Sequence, residues 1–205
     1  MLSQTGYGVD VAARRADELE KRLLAIVSAG DRVLDLGCGA GGAAARLVPA
    51  GAMAVGIDQH DFSIEWNSLG TSAEFVLGTI RSVDRLVGGT QFDYCLCNRT
   101  IHYLPYNEAA ECLKALGGLI QEKLFISFSG LTSDLGQAGS YAARHEPISS
   151  RFGPLSLRAQ ETFGITEPLT LYTEVEAIDL LTDTGWHPTW SRTTDFGNIL
   201  IEAVT

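Results

Sequence analysis

Cysteines, basic residues and long apolar runs are all scarce in this sequence of 205 residues. The four cysteines lie in apolar or glycine-rich surroundings and form no spaced scaffold, so we expect a reduced, cytoplasmic protein and not a secreted disulfide-bonded one. The N-terminus has no basic start followed by an apolar stretch, and no run reaches ~18 apolar residues. The sequence therefore predicts neither a signal peptide nor a transmembrane helix.

The shortage of positive charge limits the partners that the protein can have. Fifteen Lys and Arg residues stand against 25 Asp and Glu residues, which gives a formal charge of −10. A large nucleic-acid footprint needs a basic face that displaces phosphate counterions, and anionic membranes attract basic clusters. We therefore expect no nucleic-acid partner and no membrane partner.

Apolar residues are plentiful, at 45% of the chain, and one domain over residues 1–205 can bury its own core. Short strand-like runs alternate with helical spacing, which is typical of a parallel α/β sheet covered by helices on both faces. The predicted strands span residues 33–36, 52–57, 73–77, 92–97, 124–128, 189–193 and 198–204. The predicted helices span residues 9–27 in an N-terminal helical segment (1–30), 43–47, 107–116 and 173–185, the last with Thr173 as N-cap and Glu176 in the capping-box position.

Residues 130–170 interrupt this alternation. They are rich in glycine, proline and serine and show little periodicity. Long irregular segments inside a domain are usually lids or binding loops. We therefore predict that this segment covers a ligand site.

A glycine-rich turn after the first strand carries the main functional signal. Gly37, Gly39 and Gly42 have the spacing of a dinucleotide fingerprint, and such a turn lets a ligand approach the backbone at a helix N-terminus. Asp35, just before the turn, would repel a pyrophosphate and attract an ammonium group. Asp58 ends the next strand, where a carboxylate can accept both hydroxyls of a ribose. The pattern indicates a nucleoside, and Asp35 favours one with a cationic group.

These residues resemble the motifs of class I S-adenosylmethionine-dependent methyltransferases. Residues 35–41 resemble the first motif, Asp58 the acidic end of the second strand, 75–80 the third-strand motif, 92–104 the fourth-strand region, and 172–186 the helix before the last two strands. The resemblance covers residues 33–204. It implies a single-domain Rossmann-like α/β fold with a mainly parallel seven-stranded sheet, an antiparallel last strand, and S-adenosylmethionine as cofactor.

The resemblance also implies a cofactor site. Asp35 would help to hold the ammonium group and Asp58 the ribose. Thr79, which stands where the family often has Asp, would border the adenine with Ile80, and Asn98 would lie near the methionine end. The implied cofactor-binding set is Asp35, Gly37, Cys38, Gly39, Asp58, Gln59, Thr79, Ile80 and Asn98.

The acceptor side has weaker signals. His102 is a candidate base near the methyl acceptor, or alternatively a structural histidine, and His145 is a second catalytic candidate in the irregular segment. The candidate substrate-binding residues are Tyr7, Tyr103, Tyr141 and Arg144, of which the last two share the irregular segment with Arg151 and either bind the acceptor or lie on a solvated loop. Cys95 and Cys97 share one face of a strand, but no second pair completes a metal site, so we expect no metal.

The expected reaction is methyl transfer to a small-molecule or peptide-like acceptor. Cys97-Asn98-Arg99-Thr100 follows the fourth strand in place of an Asn-Pro-Pro-Tyr-type tetrapeptide, which argues against methylation of nucleic-acid bases. Two alternatives stay open at this point: a non-catalytic partner subunit that binds S-adenosylmethionine, and an NAD-linked oxidoreductase.

Overall fold

A computed structural model describes residues 17–137 and 139–205, and a seven-stranded sheet forms its centre in the order β3-β2-β1-β4-β5-β7-β6. Strands β1 to β5 are parallel, and β7 runs antiparallel to both of its neighbours, β5 and β6. This arrangement confirms the predicted fold class. The strands are β1 (Arg32–Leu36), β2 (Met53–Asp58), β3 (Ala73–Leu77), β4 (Phe92–Cys97), β5 (Ile120–Ser129), β6 (His187–Thr193) and β7 (Asn198–Val204).

Three of the seven α-helices in the described residues begin at a side-chain cap. Asp17 caps the first helix by accepting the Glu20 N–H at 3.0 Å, and Thr173 and Glu176 form the predicted capping box at the last one. Residues 9–16 of the predicted N-terminal helix lie outside the described residues. The α-helices are α1 (Glu18–Leu24), α2 (Ala44–Leu47), α3 (Ser63–Asn67), α4 (Val83–Leu86), α5 (Tyr106–Gly117), α6 (Leu157–Phe163) and α7 (Glu174–Asp183).

The two faces of the sheet bury separate clusters because side chains alternate along each strand. On β4, Cys95 and Cys97 face the larger cluster, which includes side chains of α5 and α7. Leu96, between them, faces the second cluster together with Leu19 and Leu23 of α1. Burial raises the pKa of both thiols well above its usual value, so these cysteines pack in the core as neutral groups. Within residues 17–137 and 139–205, no group of side chains has the composition of a metal site.

The segment between β5 and α7 is more ordered than the sequence predicts. It contains α6 and several short 3₁₀ turns, and it buries its own small cluster. Ser156 caps α6 by accepting the Ala159 N–H at 3.4 Å, and Gly164 ends it with a φ of 67°. Both cap residues are visible in the sequence, but helical periodicity is weak over the seven residues between them. In the part of the chain that the structure describes, no helix is long and apolar enough to cross a bilayer.

Candidate active site

The glycine turn after β1 adopts a backbone shape that few other residues allow. Gly37 and Gly39 have φ values of 69° and 50°, in the left-handed region. The amides of Gly37 and Cys38 both donate to the carbonyl of Ile57, at 2.8 and 3.2 Å, which fixes the turn against the end of β2. A Cβ atom on Gly37 would lie 2.8 Å from the Cβ of Thr100. The turn is therefore wedged between β2 and the loop that follows β4.

Asp58 is held in place by two backbone amides at the end of β2. Its Oδ2 accepts the Gly39 N–H at 3.0 Å and its Oδ1 accepts the His60 N–H at 2.9 Å. A carboxylate oxygen has two acceptor positions, so each oxygen keeps one for a further donor. Two neighbouring hydroxyls, as in a ribose, are the group that such a carboxylate can bind.

Asp35 lies in the middle of the sheet, two residues before the turn. It is 5% exposed, and it pairs in register with Gly56 of β2 and Leu96 of β4. A buried carboxylate at the carboxyl end of a parallel sheet is well placed to hold a cationic group.

The end of β3 borders the same edge of the sheet. The Gly78 amide donates to the Asp58 carbonyl at 2.8 Å, which ties this end to β2. Thr79 accepts the Arg81 N–H at 3.4 Å and so caps a 3₁₀ turn (Ile80–Ser82) in which the Ile80 side chain is nearly buried. Both residues thus lie just after β3, at the same edge of the sheet as Asp58.

Two predicted cofactor residues differ in their surroundings. The Cys38 side chain packs in a small cluster with Trp66 below the turn, so it shapes the turn from inside. The Trp66 indole N–H donates to the Gly39 carbonyl at 2.9 Å, a support that the sequence analysis did not identify. Gln59 is exposed beside Asp58.

A chain of side-chain hydrogen bonds organises the loop after β4. Asn98 donates to the carboxylate of Asp17, and its Oδ1 accepts the Ser127 hydroxyl at 2.8 Å. The Ser127 oxygen in turn accepts the Arg99 N–H at 2.7 Å. Arg99 has a φ of 53°, and no other non-glycine residue among those described has a positive φ. Nothing in the sequence indicated this conformation.

His102 is deeply buried beside this chain. His102 is 2% exposed, its Nε2 lies 3.2 Å from the Ser129 hydroxyl, and the Tyr103 ring packs against it at a tilt of 42°, with centroids 4.5 Å apart. Burial, together with the nearby Arg99 charge, lowers the pKa of His102 to about 3. The side chain is therefore neutral at physiological pH and a weak base.

The segment 130–170 packs over this loop. Thr170 donates its amide to the His102 carbonyl at 2.7 Å and its hydroxyl to the Leu104 carbonyl at 3.1 Å. Tyr103 packs against the small apolar cluster of the segment. The segment thus adjoins the carboxyl ends of β4 and β5, next to the glycine turn.

Within the segment, the predicted ligand cluster is engaged in holding the fold. Tyr141 is buried, with its hydroxyl in hydrogen-bonding distance of the Arg151 and Leu169 carbonyls. Arg144 donates to the Gly136 carbonyl, and Arg151 forms two hydrogen bonds with Glu176, at 2.7 and 2.8 Å. Tyr141 and Arg151 are therefore core groups and not part of a solvated loop.

Two further candidates complete the sequence-predicted set. His145 is exposed at the end of a 3₁₀ turn in the segment (Ala142–His145), and no contact described here links it to the loop after β4. Tyr7 lies outside the described residues. The structure thus brings together the predicted cofactor residues and His102, Tyr103 and Asn98.

Comparisons with known proteins agree with this geometry. Residues 33–122 match a family described as a methyltransferase domain. The CcbJ methyltransferase from Streptomyces caelestis is 15% identical, with 99% of each chain covered and a TM-score of 0.71. No curated protein matches the sequence.

Two similar structures contain ligands. The 1,6-didemethyltoxoflavin-N1-methyltransferase of Burkholderia thailandensis, solved with 1,6-didemethyltoxoflavin and S-adenosylhomocysteine, is 18% identical over 95% of this chain and 78% of that chain, with a TM-score of 0.68. The magnesium protoporphyrin IX methyltransferase of Synechocystis PCC 6803, solved with S-adenosylhomocysteine, is 19% identical over 90% of this chain and 81% of that chain, with a TM-score of 0.62. These likenesses confirm the Rossmann-like fold.

Proposed function

We propose, from the class I Rossmann-like methyltransferase domain that this chain carries, that the protein transfers a methyl group from S-adenosylmethionine to a small-molecule acceptor. The observation that carries the proposal is the pair of carboxylates around the glycine turn. Asp58 is fixed by two amides and keeps an acceptor position on each oxygen, and Asp35 is buried in the centre of the sheet. A ribose and an ammonium group match these two carboxylates, whereas a pyrophosphate would be repelled by Asp35.

The residues of this chain would bind and orient the reactants. S-adenosylmethionine, when bound, supplies a methyl carbon that its sulfonium already activates, so an acceptor lone pair can take it. Asp58 would hold the ribose, Asp35 the ammonium group, and Thr79 and Ile80 the border of the adenine. Asn98 lies at the end of β4, beside the glycine turn, where the methionine part is expected. Alignment and exclusion of water supply most of the rate in such a reaction.

The role of His102 follows from its burial. With its pKa lowered to about 3, the imidazole removes protons poorly at neutral pH. We infer that it orients the acceptor as a neutral hydrogen-bonding group and that the acceptor brings its own lone pair to the reaction. His145 is exposed, so it can contribute only if the acceptor extends over the segment 130–170.

A small acceptor is supported by two observations. The segment 130–170 packs on the loop after β4 and covers the end of the sheet where the acceptor must meet the methyl group. Two structures of similar fold act on small molecules, a didemethyltoxoflavin and a magnesium porphyrin. The net charge of −10 gives no support to a nucleic-acid acceptor.

Calorimetric titration with S-adenosylhomocysteine tests the proposal. The wild-type protein should bind it, and Asp58→Asn, which turns one of the two oxygens into a donor, should weaken binding at least tenfold. Asp195→Asn, an exposed carboxylate in the hairpin between β6 and β7, serves as the matched control and should bind as the wild type does. Binding of NADH in preference to S-adenosylhomocysteine would refute the proposal.

A further inference from the structure

Two polar atoms in the loop after β4 are buried without a hydrogen-bond partner. They are the Nε of Arg99 and the Nδ1 of His102. Buried polar atoms in proteins are nearly always paired, and an unpaired one costs about 1–3 kcal/mol. They are two of five such side-chain atoms among the described residues, and they belong to one loop, so a single polar ligand at this loop can supply partners for both.

The backbone of Arg99 is held in an unfavourable, left-handed conformation. A non-glycine residue with a φ of 53° persists only where its surroundings enforce it. Here the Ser127 oxygen accepts the Arg99 N–H, and Ser127 is itself fixed by Asn98, which is fixed by Asp17. Three side chains, those of Asp17 at the N-cap of α1, Ser127 of β5 and Asn98 after β4, therefore hold the Arg99 backbone in this conformation.

Arg99 is one of the cations that have no ion-pair partner among the described residues. Six Lys and Arg side chains form ion pairs with carboxylates: Arg22, Arg46, Arg81, Lys123, Arg151 and Arg192. Within residues 17–137 and 139–205, no carboxylate pairs with Arg99, although its side chain is only partly exposed. A guanidinium in such a position prefers a carboxylate, which it can bind through two parallel N–H bonds.

His102 supplies a second polar contact. Its Nε2 faces the Ser129 hydroxyl at 3.2 Å. When that nitrogen accepts the hydroxyl proton, the neutral ring carries its own proton on Nδ1, which then becomes a donor. Arg99 Nε and His102 Nδ1 would then both donate hydrogen bonds, and an anionic oxygen group can accept them together.

We propose that Arg99 and His102 bind a carboxylate of the methyl acceptor, so the natural substrates of this protein are small organic acids. The inference rests on the proposed function, since it assigns the chemical class of its acceptor. Arg99 anchors the acid, and His102, held by Ser129 and Tyr103, adds a neutral donor. The net charge of −10 disfavours anions over the protein as a whole, so the Arg99 guanidinium supplies the local positive charge that attracts an anion to this site.

The test compares simple acids with their neutral amides on the protein saturated with S-adenosylhomocysteine. The probes are acetate, benzoate and indole-3-acetate, each paired with the corresponding amide, and binding is followed by the NMR shifts of the labelled protein. At least one acid should bind and its amide should bind at least tenfold more weakly. Arg99→Gly should reduce binding of the acid at least tenfold, because glycine accepts the left-handed backbone and only the side chain is lost. Arg85→Ala, which removes an exposed cation, should leave it within twofold.

The possible results separate the two proposals. If no acid binds, if acid and amide bind equally, or if Arg99→Gly binds the acid as the wild type does, the acid-binding inference is wrong, whatever the cofactor does. If S-adenosylhomocysteine fails to bind while an acid still binds in an Arg99-dependent way, the proposed function is wrong and the anion site stands. Arg99→Gly should bind S-adenosylhomocysteine within twofold of the wild type, which shows that the variant is folded.

Discussion

The two halves of the candidate site are built by different means. Around the ends of β1 and β2, the backbone amides of Gly39 and His60 hold Asp58, whose remaining acceptor positions match the two hydroxyls of a ribose. Around the ends of β4 and β5, side chains distant in sequence hold one another, as Asp17 holds Asn98 and Asn98 holds Ser127. That half leaves Arg99 Nε and His102 Nδ1 unpaired. The first half fits a fixed cofactor, and the second can be adapted to an individual acceptor.

The largest effect is expected where the acceptor half depends on a buried ion pair. Arg151→Ala removes the group that joins the segment 130–170 to Glu176 of α7 and leaves a partly buried carboxylate without its counter-charge, so we expect a loss of about 3–5 kcal/mol in the free energy of unfolding. Arg192→Ala breaks an exposed pair with Glu18 and should lose less than about 1 kcal/mol. Urea unfolding measures both. Equal losses would mean that the segment is not locked by this pair.

The glycine turn offers a test of the cofactor half. Gly37→Ala places a methyl group against Thr100 in a left-handed backbone, so the turn must shift, and we expect binding of S-adenosylhomocysteine to fall at least a hundredfold. Gly70→Ala has the same kind of backbone, with a φ of 94°, but no atom within 4 Å of the new methyl group. It should bind nearly as the wild type does in the same calorimetric titration. A mild effect at Gly37 would show that the turn is less closely wedged than the geometry indicates.

Acid should affect the acceptor half through His102. The unfolded chain protonates this histidine below pH 6.5, whereas the folded protein does so only near its pKa of about 3. Burial of the neutral His102 therefore costs no stability above pH 6.5. As the pH falls from 7 to 5, the free energy of unfolding should decrease by about 2 kcal/mol, because the unfolded chain gains a proton that the folded protein does not bind. His102→Gln should flatten the pH dependence of unfolding in this interval, and the exposed His187→Gln should leave it unchanged. A wild-type profile that is already flat would contradict the burial argument.

The smallest effect is expected at the link between Asn98 and Arg99. Ser127→Ala removes one donor and one acceptor from a buried chain and should reduce stability by about 1–3 kcal/mol. Its effect on S-adenosylhomocysteine affinity should be the smaller one, because Asp58 and the glycine turn are untouched and Asn98 alone of the proposed cofactor residues loses a partner. Binding of the acid probe should fall further, since Arg99 loses its backbone partner. An equal loss for both ligands would remove the distinction between the two halves.

Local patterns along the chain predict the strands and several of the helices. Strands β3, β4 and β7 have the predicted bounds, and the capping box of Thr173 and Glu176 is confirmed. Strand β5 is longer than predicted, because polar residues near its start hide the apolar alternation. Helix α6 was not predicted, because seven residues are too few to show a clear helical period. Tyr141 and Arg151 were assigned to a ligand cluster, since a sequence cannot show that a tyrosine hydroxyl or a guanidinium is already engaged by carbonyls of the fold.

By itself, the sequence determined the seven strands, four of the seven α-helices in the described residues, the glycine turn and the two carboxylates beside it. These features depend on residues within one or two elements, whose spacing is visible along the chain. Only the tertiary structure decided that Arg99 is left-handed and lacks an ionic partner among the described residues, that His102 is neutral, and that Thr170 joins the segment 130–170 to the loop after β4. Those properties arise from burial and from contacts between distant residues, which exist only after the chain has folded.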